Sequence, residues 1–340
     1  MCGGITLTIR ESLEANEKEI LSPYAALSVN SRGRQKEEEQ CDIRPVFQRD
    51  RDRILHCKSF RRLKDKTQVF LTPDGDHYRT RMTHTLEVSQ NARTIAKALH
   101  LNEDLAEAIA LGHDLGHTPF GHAGERALNS ICPLGFKHNE QSLRTVDCLE
   151  KDGQGMNLTY EVRDGILNHQ TDGNPQTLEG KIVRLSDKIA YIHHDMDDAI
   201  RGQILTEEDV PAQIREVLGR TCGERLDCFI HDLITNSMGK NDICMSPEVE
   251  DAMKKLRQFM FVHVYQNPRA KGEEGKAEGI VETLYTYYLN HIDLLPQFLK
   301  KRLDEGEYRE RIVCDHISSM TDRFVLAQYE ELFIPKSWHY

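Results

Sequence analysis

Apolar residues recur at helical spacing through most of the chain. Leu86, Ala92, Ile95, Ala96 and Leu99 fall on one stripe, and Ile182, Leu185, Ile189, Met196 and Ile200 on another. The same pattern predicts helices over 104–111, 138–150, 159–169, 209–219, 224–235, 247–266, 278–290, 308–319 and 321–332. Glycine and proline punctuate between them, at Pro73-Asp74-Gly75, Pro133, Asp152-Gly153, 172–175 and Pro268. Strand-like alternation is scarce, and 67–72 is the best candidate for it. Residues 1–50 read as irregular and charged, with a polar loop over 31–40, and the helical pattern starts at Asp50. The Lys-, Glu- and Gly-rich stretch 269–279 reads as a surface loop. No internal repeat is visible. The predicted fold class is all-α: a helical bundle over 50–204 carrying the site, an irregular N-terminal segment 1–49 suited to oligomer contacts, and additional C-terminal helices over 205–340 packed on the core.

A chain of 340 residues can bury a sizeable core without disulfide or metal staples. Its net charge of −11, from 44 basic and 55 acidic residues, argues against a whole-surface grip on nucleic acid. It leaves room for a local basic pocket that holds an anion. The nine cysteines are scattered, odd in number and without a C-x-x-C pair, which reads as free thiols in a reducing, cytoplasmic setting. No basic stretch followed by an apolar one marks a secretory leader. No apolar run approaches the ~20 residues of a membrane span.

Candidate chemistry concentrates in residues 111–122, Leu-Gly-His-Asp-Leu-Gly-His-Thr-Pro-Phe-Gly-His. His113 and Asp114 follow directly on an apolar run from 105 to 111, where an aspartate is costly to bury unless paired or metal-bound. Imidazole plus carboxylate suits a divalent ion such as Mn, Fe, Co, Zn or Mg. His84 and Asp187 interrupt helical segments that otherwise supply core residues, and polar residues on separate helices can converge inside a bundle to complete such a site. Asp187, Tyr191 and Asp195 share one helix face at i, i+4 and i+8, although the polar run 193–198 also fits a solvated face. His193 and His194 read as bystanders. Arg49, Arg51, Arg53, Arg61 and Arg62 form a basic cluster, suited either to phosphates and an oligomer neighbour or to pairing with local acids. Phe47, Phe60 and Phe70 read as core.

The order His84, His113-Asp114, Asp187 resembles the HD phosphohydrolase superfamily. Further stretches resemble its deoxyguanosine-triphosphate triphosphohydrolase-like branch: 47–56 (Phe-Gln-Arg-Asp-Arg-Asp-Arg-Ile-Leu-His), 60–64 (Phe-Arg-Arg-Leu-Lys), 66–70 (Lys-Thr-Gln-Val-Phe), 79–85 (Arg-Thr-Arg-Met-Thr-His-Thr), 112–121 and 186–191 (Ser-Asp-Lys-Ile-Ala-Tyr). The resemblance covers roughly residues 20–200 and implies an HD-domain helical bundle. It implies that His84, His113, Asp114 and Asp187 hold one divalent metal, of the Mn, Mg or Fe type, with Mg accompanying the substrate phosphates. It implies a catalytic histidine at His122, a carboxylate partner at Glu125 and a second active-site histidine at His138. Arg81 and Lys188 resemble phosphate holders, Gln68 and Asp195 the pair that reads the sugar 3′-hydroxyl, and Tyr191 the aromatic under the sugar. His117 is a further substrate-binding candidate, either a phosphate contact or a loop cap, and His56 has no assignable role.

These residues imply hydrolysis of deoxynucleoside triphosphates to nucleoside and tripolyphosphate. The α-phosphorus as the point of attack comes from the resemblance, since spacing does not distinguish it from the β or γ position. In the implied mechanism Glu125 orients His122, and His122 protonates the leaving oxygen or stabilises its charge. The family implies a homo-oligomer, tetramer or hexamer, and some relatives bind single-stranded DNA. The rival readings are another HD phosphohydrolase, acting on monophosphates, cyclic dinucleotides or guanosine polyphosphates, and a nucleotide sensor or single-strand binder without catalysis. The intact ligand set and His122 weigh against the sensor.

Overall fold

The computed structural model describes residues 7–68, 79–266 and 272–336. In chain order the helices are α1 (Ile9–Ile20), α2 (Val46–Leu55), α3 (Lys58–Arg62), α4 (Arg81–Ala98), α5 (Glu103–Gly112), α6 (Gly121–Ile131), α7 (His138–Arg144) and α8 (Tyr160–Leu167). They continue as α9 (Leu178–Arg201), α10 (Ala212–Leu218), α11 (Cys222–Ser237), α12 (Pro247–Met260), α13 (Glu274–Asn290), α14 (Gln297–Asp304), α15 (Arg309–Ser318) and α16 (Asp322–Phe333). Wider π-type turns extend α7 over Thr145–Leu149 and α12 over Phe261–Tyr265. Among the described residues there is no sheet, only the isolated bridges Arg34–Thr159 and Thr67–Thr80. The fold is all-α, and no helix among the described residues is long and apolar enough to cross a membrane.

Three expectations need correction. The N-terminal segment is not wholly irregular. Thr8 and Glu11 form a reciprocal capping box that starts α1, so that a mostly polar stretch is helical because its first amides are satisfied. The stretch expected to be a surface loop after residue 269 is already helical from Glu274, as α13. Leu86 is 48% exposed, and the buried stripe of α4 runs instead through Val88, Ala92, Ile95 and Ala96. The periodicity reading also missed α6 and α14. Residues 69–72 of the strand candidate, Phe70, Pro73-Asp74-Gly75, Pro268 and 269–271 lie outside the described residues.

The chain divides into two compact units. The first comprises Met1–Cys57, His84–His113 and Met156–Asn267. In it α5 packs against α2, α8 and α9. The crossings are close: a Cβ on Gly112 would sit 2.6 Å from Ile166, and one on Gly165 would sit 2.5 Å from Ile109. Phe47, Ile54, Leu105, Ile109, Val162 and Ile182 are fully buried there. The basic cluster at the start of this unit is spent on local acids. Arg49 and Arg53 pair with Glu38, and Arg51 with Asp104, Asp52 and Glu107.

The second unit comprises Lys58–Thr83, Asp114–Gly155 and Pro268–Tyr340. Its core joins Phe120, Ala127, Leu128 and Phe136 to Val281, Leu284, Tyr285, Ile312, Ile317 and Val325. Helix α13 lies between α6 on one side and α15 and α16 on others. Arg126 of α6 ties down the start of α13 through Glu274 and Glu278.

Candidate metal centre and active site

In the first unit three predicted ligands converge. His84 Nε2 lies 3.0 Å from Asp187 Oδ1, and His113 Nε2 lies 3.8 Å from the same oxygen. The His84 and His113 rings are buried and meet edge to face with centroids 5.6 Å apart. Local backbone fixes their orientation. His113 C-caps α5, and its Nδ1 sits 2.6 Å from the Ala110 carbonyl. A carbonyl only accepts, so Nδ1 carries the hydrogen and a neutral ring presents the Nε2 lone pair. His84 turns its Nδ1 toward His194 Nδ1 at 3.3 Å. Burial pushes the Asp187 carboxyl up, but the hydrogen bond from His84 and the fields of His113, His84 and His169 outweigh it and hold the group well below the usual carboxylate range.

Two buried imidazole nitrogens and a part-buried, ionised carboxylate oxygen brought to one point form a donor set that fits a divalent metal. Asp114, the fourth predicted ligand, is the next residue after His113. His194, read from sequence as a bystander, is corrected by the structure: it is 1% exposed, backs His84, and pairs with Glu87. Support of this kind fixes a ligand's tautomer and orientation. His169 was missed altogether. Its ring lies 5.0 Å from that of His113, with Nδ1 held by the Ile166 carbonyl at 2.7 Å. The only sequence signal was a buried-side histidine following an apolar helix.

The face of α9 continues beyond Asp187. Lys188 is followed by Tyr191, whose ring stacks on Tyr265 at 5.4 Å, and the Tyr265 hydroxyl donates to the Asp195 carboxylate. Asp195 is 1% exposed, so the solvated-face alternative fails for it. Tyr265 comes from the π-type turn after α12 and carried no local sequence signal. Burial lowers the Lys188 ammonium, as do the positive fields of Arg184 and Arg257. The Arg184 Nε is buried and unpartnered. Lys188 thus belongs to a basic group of three, two members of which the sequence reading did not single out. Such a group suits a polyanion.

The second unit assembles the other predicted residues. The potential ligand atoms of His117, His122, Glu125 and His138 all lie within 4.8 Å of one another. Glu125, one turn into α6, is clamped from both sides. It accepts from the His138 backbone N–H at 2.8 Å and lies 2.9 Å from His138 Nδ1 and 3.2 Å from His122 Nδ1. Burial raises its carboxyl, but these bonds and the fields of His138 and His117 more than reverse that, so Glu125 is ionised throughout the physiological range. Burial pulls the three imidazoles down. For His138 the bond to Glu125 wins and its pKa is raised. For His122, half-exposed at the mouth of a concave site, desolvation by the surrounding protein outweighs the bond to Glu125 and its pKa is lowered. For His117 it falls well below the ordinary value. His117 is fully buried, stacks on His138 at 4.6 Å, and has both ring nitrogens without a hydrogen-bond partner. It does not cap the loop.

Arg81 is placed differently from a free phosphate holder. It is 3% exposed, with Nη1 on Asp114 at 2.5 Å, Nε on the Thr67 carbonyl at 3.1 Å and Nη2 on the Gln68 carbonyl at 3.3 Å. It acts as counter-ion to a predicted metal ligand. The Gln68 side-chain oxygen is buried and unpartnered, which suits a residue waiting for a donor. Gln68 and Asp195, expected to act as a pair, belong to different units.

Residues 81–192 match the HD domain, and 243–331 match the phosphohydrolase-associated domain. A deoxyguanosinetriphosphate triphosphohydrolase-like protein of Caldanaerobacter subterraneus subsp. tengcongensis is 57% identical over 332 residues, covering 98% of each chain. One of the same description from Desulfatibacillum aliphaticivorans is 48% identical over 97% of this chain and 99% of its own. Among solved structures, a phosphohydrolase from Bacteroides thetaiotaomicron shares the fold at TM-score 0.52 and 16% identity, over 83% of this chain and 67% of that one.

Proposed function

The chain belongs to the deoxyguanosinetriphosphate triphosphohydrolase-like family of the HD superfamily, and from that premise we propose that it hydrolyses deoxynucleoside triphosphates to deoxynucleoside and tripolyphosphate. The observation that carries this reading is the carboxylate-clamped pair His122–Glu125–His138, acid–base machinery additional to the HD metal ligands.

His84, His113, Asp187 and Asp114 would hold a divalent metal, which would supply Lewis-acid polarisation of a phosphate oxygen and an acidified water. The remaining chemistry belongs to side chains. Water adds to the α-phosphorus, the bond from phosphorus to the sugar O5′ breaks, and O5′ takes a proton. Glu125 engages the Nδ1 atoms of both histidines, so Nε2 is the working atom of each. His122 is half-exposed and reaches substrate, and its Nε2–H delivers the proton to O5′. The Glu125 charge stabilises the imidazolium that makes this transfer possible. Lys188, with Arg184 and Arg257, neutralises the departing triphosphate. The Tyr191–Tyr265 stack and the buried Asp195 support a deoxyribose site, apolar on its floor with one acceptor for a hydroxyl.

The test is to incubate the protein with each of the four deoxynucleoside triphosphates and with GTP, in Mg or Mn, and to separate the products by anion exchange. Nucleoside plus tripolyphosphate from the deoxynucleotides alone is the expected result. Diphosphate or orthophosphate as the first product would overturn it.

A further inference from the structure

We propose that the C-terminal segment 318–322 positions the candidate catalytic histidines, latching the loop 117–121 into the conformation that presents His122. The inference rests on the reading of His122 as catalytic.

Asp322 opens α16 behind the N-cap Thr321. A carboxylate in a first helical turn ordinarily serves that helix's own amides. This one is 5% exposed and points both oxygens elsewhere. Oδ2 accepts from the Thr67 backbone N–H at 2.8 Å and from the Thr67 hydroxyl, and Oδ1 accepts from the Phe120 N–H at 2.9 Å. The Phe120 contact matters most. Phe120 is the N-cap of α6 at φ 60° and ψ 26°, a left-handed conformation that a side chain bearing Cβ adopts at a cost, and its own side chain supplies no cap. Gly121 follows at φ 57°, and His122 comes next. The start of the helix that carries His122 and Glu125 is therefore held from outside, by a residue 202 positions later in the chain.

The loop is pinned at its other end by the same segment. The Lys66 ammonium is buried and donates to the His117 carbonyl and, at 2.7 Å, to the Ser318 carbonyl. Between the two pins Thr118 Oγ1 donates to the Gly121 carbonyl at 2.8 Å. No slack remains beside the helix start, since a Cβ on Gly121 would lie 3.2 Å from the Gln68 carbonyl and 3.4 Å from that of Thr67. Apolar side chains would pack these surfaces without burying a carboxylate and an ammonium. A connected polar network of this kind instead fixes one backbone geometry. That makes Asp322, Lys66 and Thr67 positioning residues: none touches the reacting atoms, and each acts through the backbone of residues 117–121.

Misplacing a catalytic group by about 1 Å costs on the order of a hundredfold in rate. In the full-length protein, Asp322→Asn is expected to lower kcat about a hundredfold by that reasoning, with KM and bound-metal stoichiometry unchanged. Asp322→Ala should fall further, so that asparagine counts as a partial rescue. Thr67→Val, which deletes one hydroxyl and keeps the shape, should shift kcat in the same direction by less. A readout independent of turnover is the 1H–15N spectrum of histidine-labelled protein. There the His117, His122 and His138 signals should move in each variant while exposed His231 stays. Unmoved imidazole signals in Asp322→Asn and Thr67→Val would overturn the latch, as would a loss of kcat no larger than the loss of folded protein measured by urea titration. If the unsubstituted protein turns over no deoxynucleotide, the proposed function fails, and the imidazole signals still decide the latch.

Discussion

Glu125→Gln isolates the charge of the clamp from its shape. Glutamine can still accept from the His138 backbone N–H, now 2.8 Å from Glu125 Oε1. It cannot offer an anionic oxygen to His122 Nδ1 at 3.2 Å and to His138 Nδ1 at 2.9 Å. A hydrogen bond to a charged group is worth about 1.5–3 kcal/mol and a neutral one about 0.5–1.5. The difference is about 1–1.5 kcal/mol per bond, or roughly 2–3 kcal/mol for two. The Glu125 side chain is only 17% exposed, so water does little to soften this. If the clamp acts chiefly on the protonated imidazole in the transition state, kcat falls about 30- to 150-fold, at ~1.4 kcal/mol per factor of ten. The pH dependence should change as well. The bond to Glu125 opposes the burial that lowers the His122 imidazolium, so its replacement lowers that group further and moves the alkaline limb of kcat/KM to lower pH. The assay is steady-state release of tripolyphosphate across pH 5–9, with bound metal quantified in parallel. A variant with kcat within twofold of the parent and an unmoved alkaline limb would refute the role given to the clamp.

Two further outcomes concern stability. Glu179 in α9 is fully buried, with Oε1 accepting the Ala26 and Asn102 N–H groups at 3.0 Å and Oε2 unpartnered, and burial raises its carboxyl from 4.5 to about 7. The folded state then holds a proton that the unfolded state releases, so stability falls as pH rises through that window, by about 3 kcal/mol in all; in urea titrations Glu179→Gln should abolish the fall and be the more stable form at pH 8, and equal pH slopes would count against it. Gly116→Ala would put a Cβ 2.1 Å from the Ser142 amide nitrogen and 2.2 Å from the Gln141 carbonyl carbon. Backbone must move to admit it, at about 3 kcal/mol or more, and a change below about 0.5 kcal/mol, the range of ordinary surface substitutions, would show that the crossing is not close-packed.

What is legible in the sequence is what lies close together along it. Helices such as α5 and α9 carry their own period, and His113, Asp114, His117 and His122 fall within ten consecutive residues, so both can be read directly from the chain. The Asp187, Tyr191 and Asp195 face needs only the helical repeat. Residues recruited from a distance stay hidden. Tyr265 reaches Asp195 across 70 residues, and His194 reads as one member of a polar run because only the fold sets it against His84. Arg81, a phosphate holder by resemblance, shows a further contact set that its position three residues before His84 does not disclose: Asp114 and the Thr67 and Gln68 carbonyls.

The same distinction explains why the C-terminal region looks featureless in sequence. Ser318 and Asp322 belong to a helix–turn–helix whose periodicity is ordinary, and neither has its latch partners near it in sequence. Those partners are Lys66, Thr67 and Phe120, and the only local trace of the arrangement is a phenylalanine forced into a left-handed conformation between Pro119 and Gly121. A non-glycine residue in that conformation persists only where its surroundings over-determine it. Here the surroundings are supplied by a segment 202 residues away. The histidine loop therefore carries the chemistry, and the C-terminal segment carries the geometry that the loop's own sequence does not impose.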